Sequence, residues 1–369
     1  MMLKIKTIIG ARPQFIKAAV LSNSFAKINY KKNFLKHEII HTGQHFDPKM
    51  SSIFFKELNI PEPKYNLNIN CGSHGSNTGR MLEKIEEILI KDSTNIVLVV
   101  GDTDSTLAGA LAASKLKIKV FHVEAGLRSF NRFQPEEQNR ILTDHLSDIC
   151  FAPSDDAVSN LIKEGISRKR IIRTGDILAD AIRLFNPSNS KNIQFLKKYN
   201  LKKKNFILCT IHRPENTEKK NYMINILKQL QKSLLPVIIP LHPRTRNSIE
   251  KFGLQNLLVG LNVIDPIGYT ESISLQMQAS LIITDSGGIQ KEAYLQATPC
   301  ITVRKETEWI ELIQKGYNIL ANPEKEQSIT DAINKQLSKK VDNINHPLYG
   351  DGYTSDHIVK KVMDTCKNF

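Results

Sequence analysis

The chain has 369 residues, 41% of them hydrophobic and 24% charged, which exceeds one ordinary core, fits two domains and excludes low-complexity or fibrous classes. Its formal net charge is +14, but the lysines fall in scattered groups such as Lys202-Lys203-Lys204 and Lys219-Lys220. A solvated surface is therefore expected, with no nucleic-acid partner.

Short β-branched runs recur along the chain, separated by longer stretches with helical spacing. In the first half the spacing predicts strands over 4–10, 37–43, 95–102, 119–126, 148–154 and 170–176. In the second half it predicts them over 205–212, 235–242, 261–268, 280–287, 299–305 and 316–322. Segments such as "NTGRMLEKIEEILIKD" and "TLAGALAASKLK" between them read as amphipathic or small-residue helices. Continuously apolar strands alternating with helices belong to parallel sheets covered on both faces, so the fold class is α/β with two doubly wound domains. The polar, lysine-rich stretch 186–205 marks the seam, giving domains 1–185 and 186–369. The terminal helix "TSDHIVKKVMDTCKNF" packs on the second domain or crosses back to the first; pattern leaves this open.

No uncharged apolar run is long enough to span a bilayer, and "MMLKIKTIIGARP" leads directly into a strand without a signal-type segment. Cytoplasmic residence without membrane insertion is the expectation. The cysteines, Cys71, Cys150, Cys209, Cys300 and Cys366, show no metal-ligand spacing and read as reduced thiols, three of them buried in strands.

Ligands of open α/β sheets bind beyond the carboxyl ends of the strands. Those ends carry Arg12, Gln44 with His45, Asp102 and Glu124 in the first half. In the second they carry His212 with Arg213, His242, Asp285 with Ser286, and Arg304. So many functional side chains at strand ends argue for a cleft between facing domains. "TDSGGIQKEA" follows a strand and opens a helix, so the backbone N–H groups near Ser286, Gly287 and Gly288 suit a diphosphate, or Ser286 or Asp285 merely caps the helix. Glu292 one turn later suits ribose hydroxyls. "IIGARPQFIKAA" places Arg12 and Lys17 around the first strand-to-helix turn. "FHVEAGLRSFNRFQPEEQNRILTDH" carries Glu124 at a strand end, then Glu136 and Glu137 at a helix start, a pattern that suits a salt-bridged loop or a site that moves protons.

Taken in order, "GARPQFIK", "GQHFD", "GDTDSTLAGALAA", "HVEAGLRS", "PEEQNRILTDHLSD", "HRPEN", "HPRT", "DSGGIQKEA" and "YGDG" resemble the non-hydrolysing UDP-N-acetylglucosamine 2-epimerases. The resemblance covers almost the whole chain. It implies a GT-B-like pair of Rossmann-like domains facing across a cleft, a UDP-sugar substrate, a homodimer, no cofactor and no metal. It implies inversion at C2 by elimination of UDP and its re-addition through a 2-acetamidoglucal, serving surface-polysaccharide precursors. By resemblance Asp102, Glu124 and Glu136 handle and orient the protons, and His212 aids departure and return of UDP. Arg12, Lys17, Ser286, Gly287, Gly288 and Glu292 hold the nucleotide. Gln44, His45, Arg128, Arg140, Arg213, His242, Tyr269, Glu308 and Trp309 complete the expected substrate contacts.

Two departures bear on the substrate. "ETEWIE" places Trp309 where many members carry an arginine, and Asp47 stands where the activator site of some members has a glutamine. The first points toward the branch acting on UDP-2,3-diacetamido-2,3-dideoxyglucuronic acid; the second argues against activation by substrate. A glycosyltransferase of the same shape, a hydrolysing epimerase and a non-catalytic nucleotide-sugar binder are the rival readings.

Overall fold

The structure, a computed structural model, describes residues 2–29, 34–44, 57–58, 60–338 and 348–366, apart from the side chains of Arg12 and Cys366. Two compact units divide the chain: Met1–Leu184 with Pro347–Phe369, and Phe185–His346.

Among the described residues of the first unit, a wholly parallel sheet runs β3-β2-β1-β4-β5-β6-β7. Its strands are β1 (Leu3–Ile9), β2 (Leu35–His41), β3 (Tyr65–Asn66), β4 (Ile96–Val100), β5 (Lys119–Val123), β6 (Ile149–Ala152) and β7 (Ile171–Arg173). The second unit's sheet runs β10-β9-β8-β11-β12-β13, also parallel throughout. Those strands are β8 (Ile207–Thr210), β9 (Val237–Pro240), β10 (Asn262–Ile264), β11 (Leu281–Thr284), β12 (Cys300–Thr302) and β13 (Asn318–Leu320). Every strand expected from the apolar runs is present; the short β3 had no such signal. The reason for the pattern is visible in β4, where Ile96, Val97, Leu98, Val99 and Val100 are all fully buried. A strand with helices on both faces has no polar side to alternate with, and each such side chain contributes about 1.5–3 kcal/mol on burial.

In both sheets the winding direction reverses once, between β1 and β4 and between β8 and β11. At such a reversal the two following helices diverge to opposite faces and leave a crevice at the strand ends. Small residues let the helix Asp104–Lys115 come close to that point. A Cβ on Gly109 would stand 2.6 Å from Ile8 Cδ1 and 3.2 Å from Val99 Cγ1. Thr103 and Thr106 cap this helix reciprocally. Gln14 ties the turn after β1 to the one after β4. It accepts from the N–H of Gly10 (2.7 Å) and Ala11 (2.9 Å) and donates to the Val100 carbonyl (2.6 Å).

The last helix, Thr354–Cys366, belongs to the first unit and lies against Arg12–Asn29. Ser24 Oγ is 2.9 Å from Ser355 Oγ and donates to Asp356 (2.7 Å), while the Ser355 N–H is donated to the buried Asp180 carboxylate (3.1 Å). Among the described residues no helix is long and apolar enough to cross a membrane.

Burial lifts the Asp180 carboxyl to about 6; the Ser355 N–H and Arg183 oppose the rise and Asp356 adds to it. The folded value lies above the ordinary 3.8, so folding favours the neutral acid. That contribution is complete below about pH 4 and lost as pH rises through about 6. Asp180→Asn keeps an acceptor for Ser355 and cannot ionise. Thermal melts should show it raising Tm by about 2–4 °C at pH 7.5, the shift expected for about 1 kcal/mol, and leaving Tm nearly unchanged at pH 4.

Candidate active site

The strand ends of the first unit bring four of the expected residues together. Asp102, just beyond β4, accepts from Arg140 Nη2 at 2.5 Å. Glu124, just beyond β5, pairs with the buried Lys17 of the first helix. The Glu124 carboxylate lies beside Gly101: a Cβ built there would be 3.6 Å from its Oε2. Glu124 adopts φ +74, a left-handed conformation that costs a residue with a side chain about 1–3 kcal/mol. The strain is held by the Glu124 and Ala125 N–H groups, both donated to the Phe151 carbonyl (3.2 and 3.0 Å).

Glu136 and Glu137 separate into different roles. Glu136 is exposed in the first turn of the helix Pro135–Leu146, and its carboxylate has no hydrogen-bond or ion-pair partner among the described residues. It stands one turn before Arg140, on the same face. Glu137 is buried and accepts from the loop that precedes the helix: Ser129 N–H (2.8 Å), Ser129 Oγ (3.1 Å) and Phe130 N–H (2.9 Å). Both readings of the paired acids are thus present, one on each residue.

Gln44, after β2, is held by Ser105, whose N–H (3.1 Å) and Oγ–H (2.6 Å) both donate to its side-chain oxygen. His45 and Asp47 lie outside the described residues, as does the side chain of Arg12. Arg128, expected to touch substrate, is instead a buried brace. Its guanidinium donates to Glu164 (2.7 and 2.6 Å), Asp144 (2.7 Å) and the Leu127 carbonyl (2.6 Å), leaving little for a ligand. Burial would raise the Asp144 carboxyl, but His122 and Arg128 hold it below the ordinary range. His122 also donates Nε2–H to the Gly101 carbonyl (2.7 Å), next to Asp102.

The strand ends of the second unit are organised by Asp285. Fully buried, it accepts the N–H of His212 (3.0 Å) and Arg213 (2.9 Å) and the amide of Asn216 (3.0 Å), which sets the turn after β8. The His212 ring stands 5.4 Å from that of His242, and its Nδ1 is 3.4 Å from Asp285. His242 Nδ1 in turn accepts the Arg244 N–H (3.2 Å) and caps the helix Pro243–Phe252. Ser286 begins the helix Gly287–Leu295 without capping it by its side chain, and Asp285 is already committed to the β8 turn. The uncapped N–H groups there suit an anion. Glu308 approaches the same turn. It pairs with Arg304 at 2.7 Å, and Arg213 Nη2 lies 3.9 Å away; burial would raise its carboxyl, but the two arginines hold it below the ordinary range. Glu292 is buried and accepts from Gln276 (2.8 Å). Tyr269 is buried edge-on to Phe185, centroids 6.2 Å apart. Trp309 is buried with Lys291 Nζ 4.1 Å above its ring, a cation–π contact.

Sequence reading did not single out Asp144, Gln14 or the anchoring part played by Asp285, and it did not separate the task of Glu137 from that of Glu136. Their chemistry is ordinary in sequence, and only their backbone partners reveal it.

A Cβ on Gly287 would stand 2.4 Å from Glu308 Oε1, whereas one on Gly288 meets nothing within 4 Å. Gly287→Ala should therefore cost about 1–3 kcal/mol in thermal melts, as overpacking does, and Gly288→Ala should cost none.

A family profile described as UDP-N-acetylglucosamine 2-epimerase matches residues 27–363. The chain is 48% identical over 366 residues to a UDP-N-acetylglucosamine 2-epimerase homolog of Methanococcus maripaludis, covering 98% of this chain and all of that protein. It is 46% identical to the UDP-2,3-diacetamido-2,3-dideoxy-D-glucuronate 2-epimerase of Pseudomonas aeruginosa, covering 97% and 99% of the two chains. Its fold is similar to that of the Methanocaldococcus jannaschii UDP-GlcNAc 2-epimerase solved with UDP-GlcNAc and UDP: TM-score 0.88, 40% identity, 98% of this chain and 100% of that one. The chain that carries these carboxylates beyond the strand ends of two parallel sheets belongs to the UDP-N-acetylglucosamine 2-epimerase family.

Proposed function

We propose that the protein is an isomerase that interconverts UDP-N-acetylglucosamine and UDP-N-acetylmannosamine. The observation that carries this reading is the pair of acids at the first unit's strand ends, Asp102 on Arg140 and Glu124 on Lys17, with the exposed Glu136 one helical turn before Arg140. Inversion at C2 requires loss of a proton that no adjacent carbonyl acidifies. Elimination supplies the route. The C1–O bond to UDP breaks as C2 loses its proton, giving a 2-acetamidoglucal; UDP then adds back to C1 while C2 is protonated on the opposite face. Two faces need two positioned acid–base groups, which Asp102, Glu124 and Glu136 provide. The leaving diphosphate needs positive charge and N–H donors. His212, Arg213, the Ser286–Gly288 turn, Arg12 and Lys17 supply these, and Glu292 takes a ribose hydroxyl. The active species is a homodimer of the cytoplasm that serves surface-polysaccharide synthesis.

In heavy water, proton NMR should show the C2 proton of UDP-N-acetylglucosamine exchanging as the second epimer forms. Glu136→Gln and Asp102→Asn should each abolish exchange while UDP still binds; undiminished exchange in both would refute the assignment.

A second substrate, UDP-2,3-diacetamido-2,3-dideoxyglucuronic acid, is favoured by Trp309, which stands where many family members carry an arginine, and by the 46% identity to the Pseudomonas aeruginosa enzyme named for that sugar. Incubation with both UDP-sugars in competition decides the matter. Turnover of the uronate at least tenfold faster supports this second substrate, and preference for UDP-N-acetylglucosamine removes it.

A further inference from the structure

Glu137 is the most deeply buried member of a three-residue chain that ends at the proposed acid–base group. Side-chain exposure rises along it, from 2% at Glu137 to 11% at Arg140 and 30% at Asp102. Arg140 donates Nη1 to Glu137 (3.1 Å) and Nη2 to Asp102 (2.5 Å). A guanidinium is a rigid fork, so fixing one prong fixes the direction of the other. Glu137 is itself fixed by the two N–H groups and hydroxyl of Ser129 and Phe130, the latter held at φ +57. The same helix grips the Asp102 backbone, because Asn139 Nδ2 donates to the Asp102 carbonyl (3.0 Å) and to Asp104 (3.1 Å).

Resting on the epimerase reading above, we propose that Glu137 is a positioning residue for proton transfer by Asp102. Its carboxylate holds the Arg140 fork, the fork holds one oxygen of Asp102, and the other oxygen is aimed at the sugar. Glu137 touches no substrate. A buried carboxylate that only pinned the loop would not need to share its charge with the arginine that reaches the reacting group. Loss of this hold misplaces Asp102, and misplacement of a reacting group by about 1 Å costs on the order of 10²-fold in rate.

Glu137→Gln preserves shape and removes the charge. Epimerisation and C2 exchange are measured per UDP-binding site, counted by titration with UDP, so that unfolded protein is not scored as slow enzyme. The expected result is a kcat lower by on the order of 10²-fold, with KM and UDP affinity within a few-fold of wild type. Arg140→Met should show a similar loss, and the double variant should be no slower than Arg140→Met alone, because the two residues act in series. Wild-type kcat per site in Glu137→Gln, or losses that multiply in the double variant, would overturn the proposal. Should Glu137→Gln not fold, Arg140→Lys supplies the test. It keeps the charge beside Asp102 but cannot bridge both carboxylates in one plane, and an unchanged kcat there would also overturn the proposal. Absence of C2 exchange in the wild-type protein would refute the epimerase reading itself and remove the proposal with it.

Discussion

A carboxylate withdrawn from water must be met by a cation or by N–H donors, or it cannot remain ionised. That requirement organises the strand ends of both units. Glu124 has Lys17, Asp102 has Arg140, Asp144 has His122 and Arg128, and Asp285 has the N–H groups of the turn after β8. Each pairing also fixes a piece of backbone that carries no regular structure. Removing either partner would leave an uncompensated charge and release a loop at once.

The same rule governs the body of the first sheet. Lys6 is fully buried in β1 and survives because Glu38 and Asp92 both reach it, with Lys64 balancing the second negative charge. Burial would raise the Glu38 carboxyl, but Lys36, Lys6 and Lys64 outweigh it and hold it at about 2. This cluster stabilises the edge formed by β1, β2 and β3. Its acids each sit between two or more lysines within the body of the sheet, whereas Asp102 and Glu124 stand beyond the carboxyl ends of β4 and β5, where ligands of such sheets bind. That difference separates a structural ion cluster from a candidate acid–base group.

The helix Pro135–Leu146 shows how sequence neighbours acquire unrelated tasks. Successive residues on a helix point about 100° apart, so Glu136 and Glu137 cannot share an environment. One faces solvent, and the other faces the loop that the chain has just left. Arg140 follows both by roughly one turn and takes its partners from Glu137 and from a different strand end, joining local to long-range structure.

The amino-acid sequence by itself determined the α/β class, the strands and the residue types at their carboxyl ends. Those follow from local facts: a strand covered on both faces must be apolar along its whole length, and the residue after it must be able to turn. It also determined the family, because the ordered motifs match along nearly the entire chain. Tertiary structure alone decided that Arg128 is a brace, that Glu137 rather than Glu136 turns inward, and that the last helix joins the first unit through Ser24, Ser355 and Asp180. The brace and the last helix depend on partners tens to hundreds of residues away, and Glu137 on a loop that must first fold back over its own helix. The periodicity of a segment records which of its faces is buried and says nothing of which distant atoms bury it.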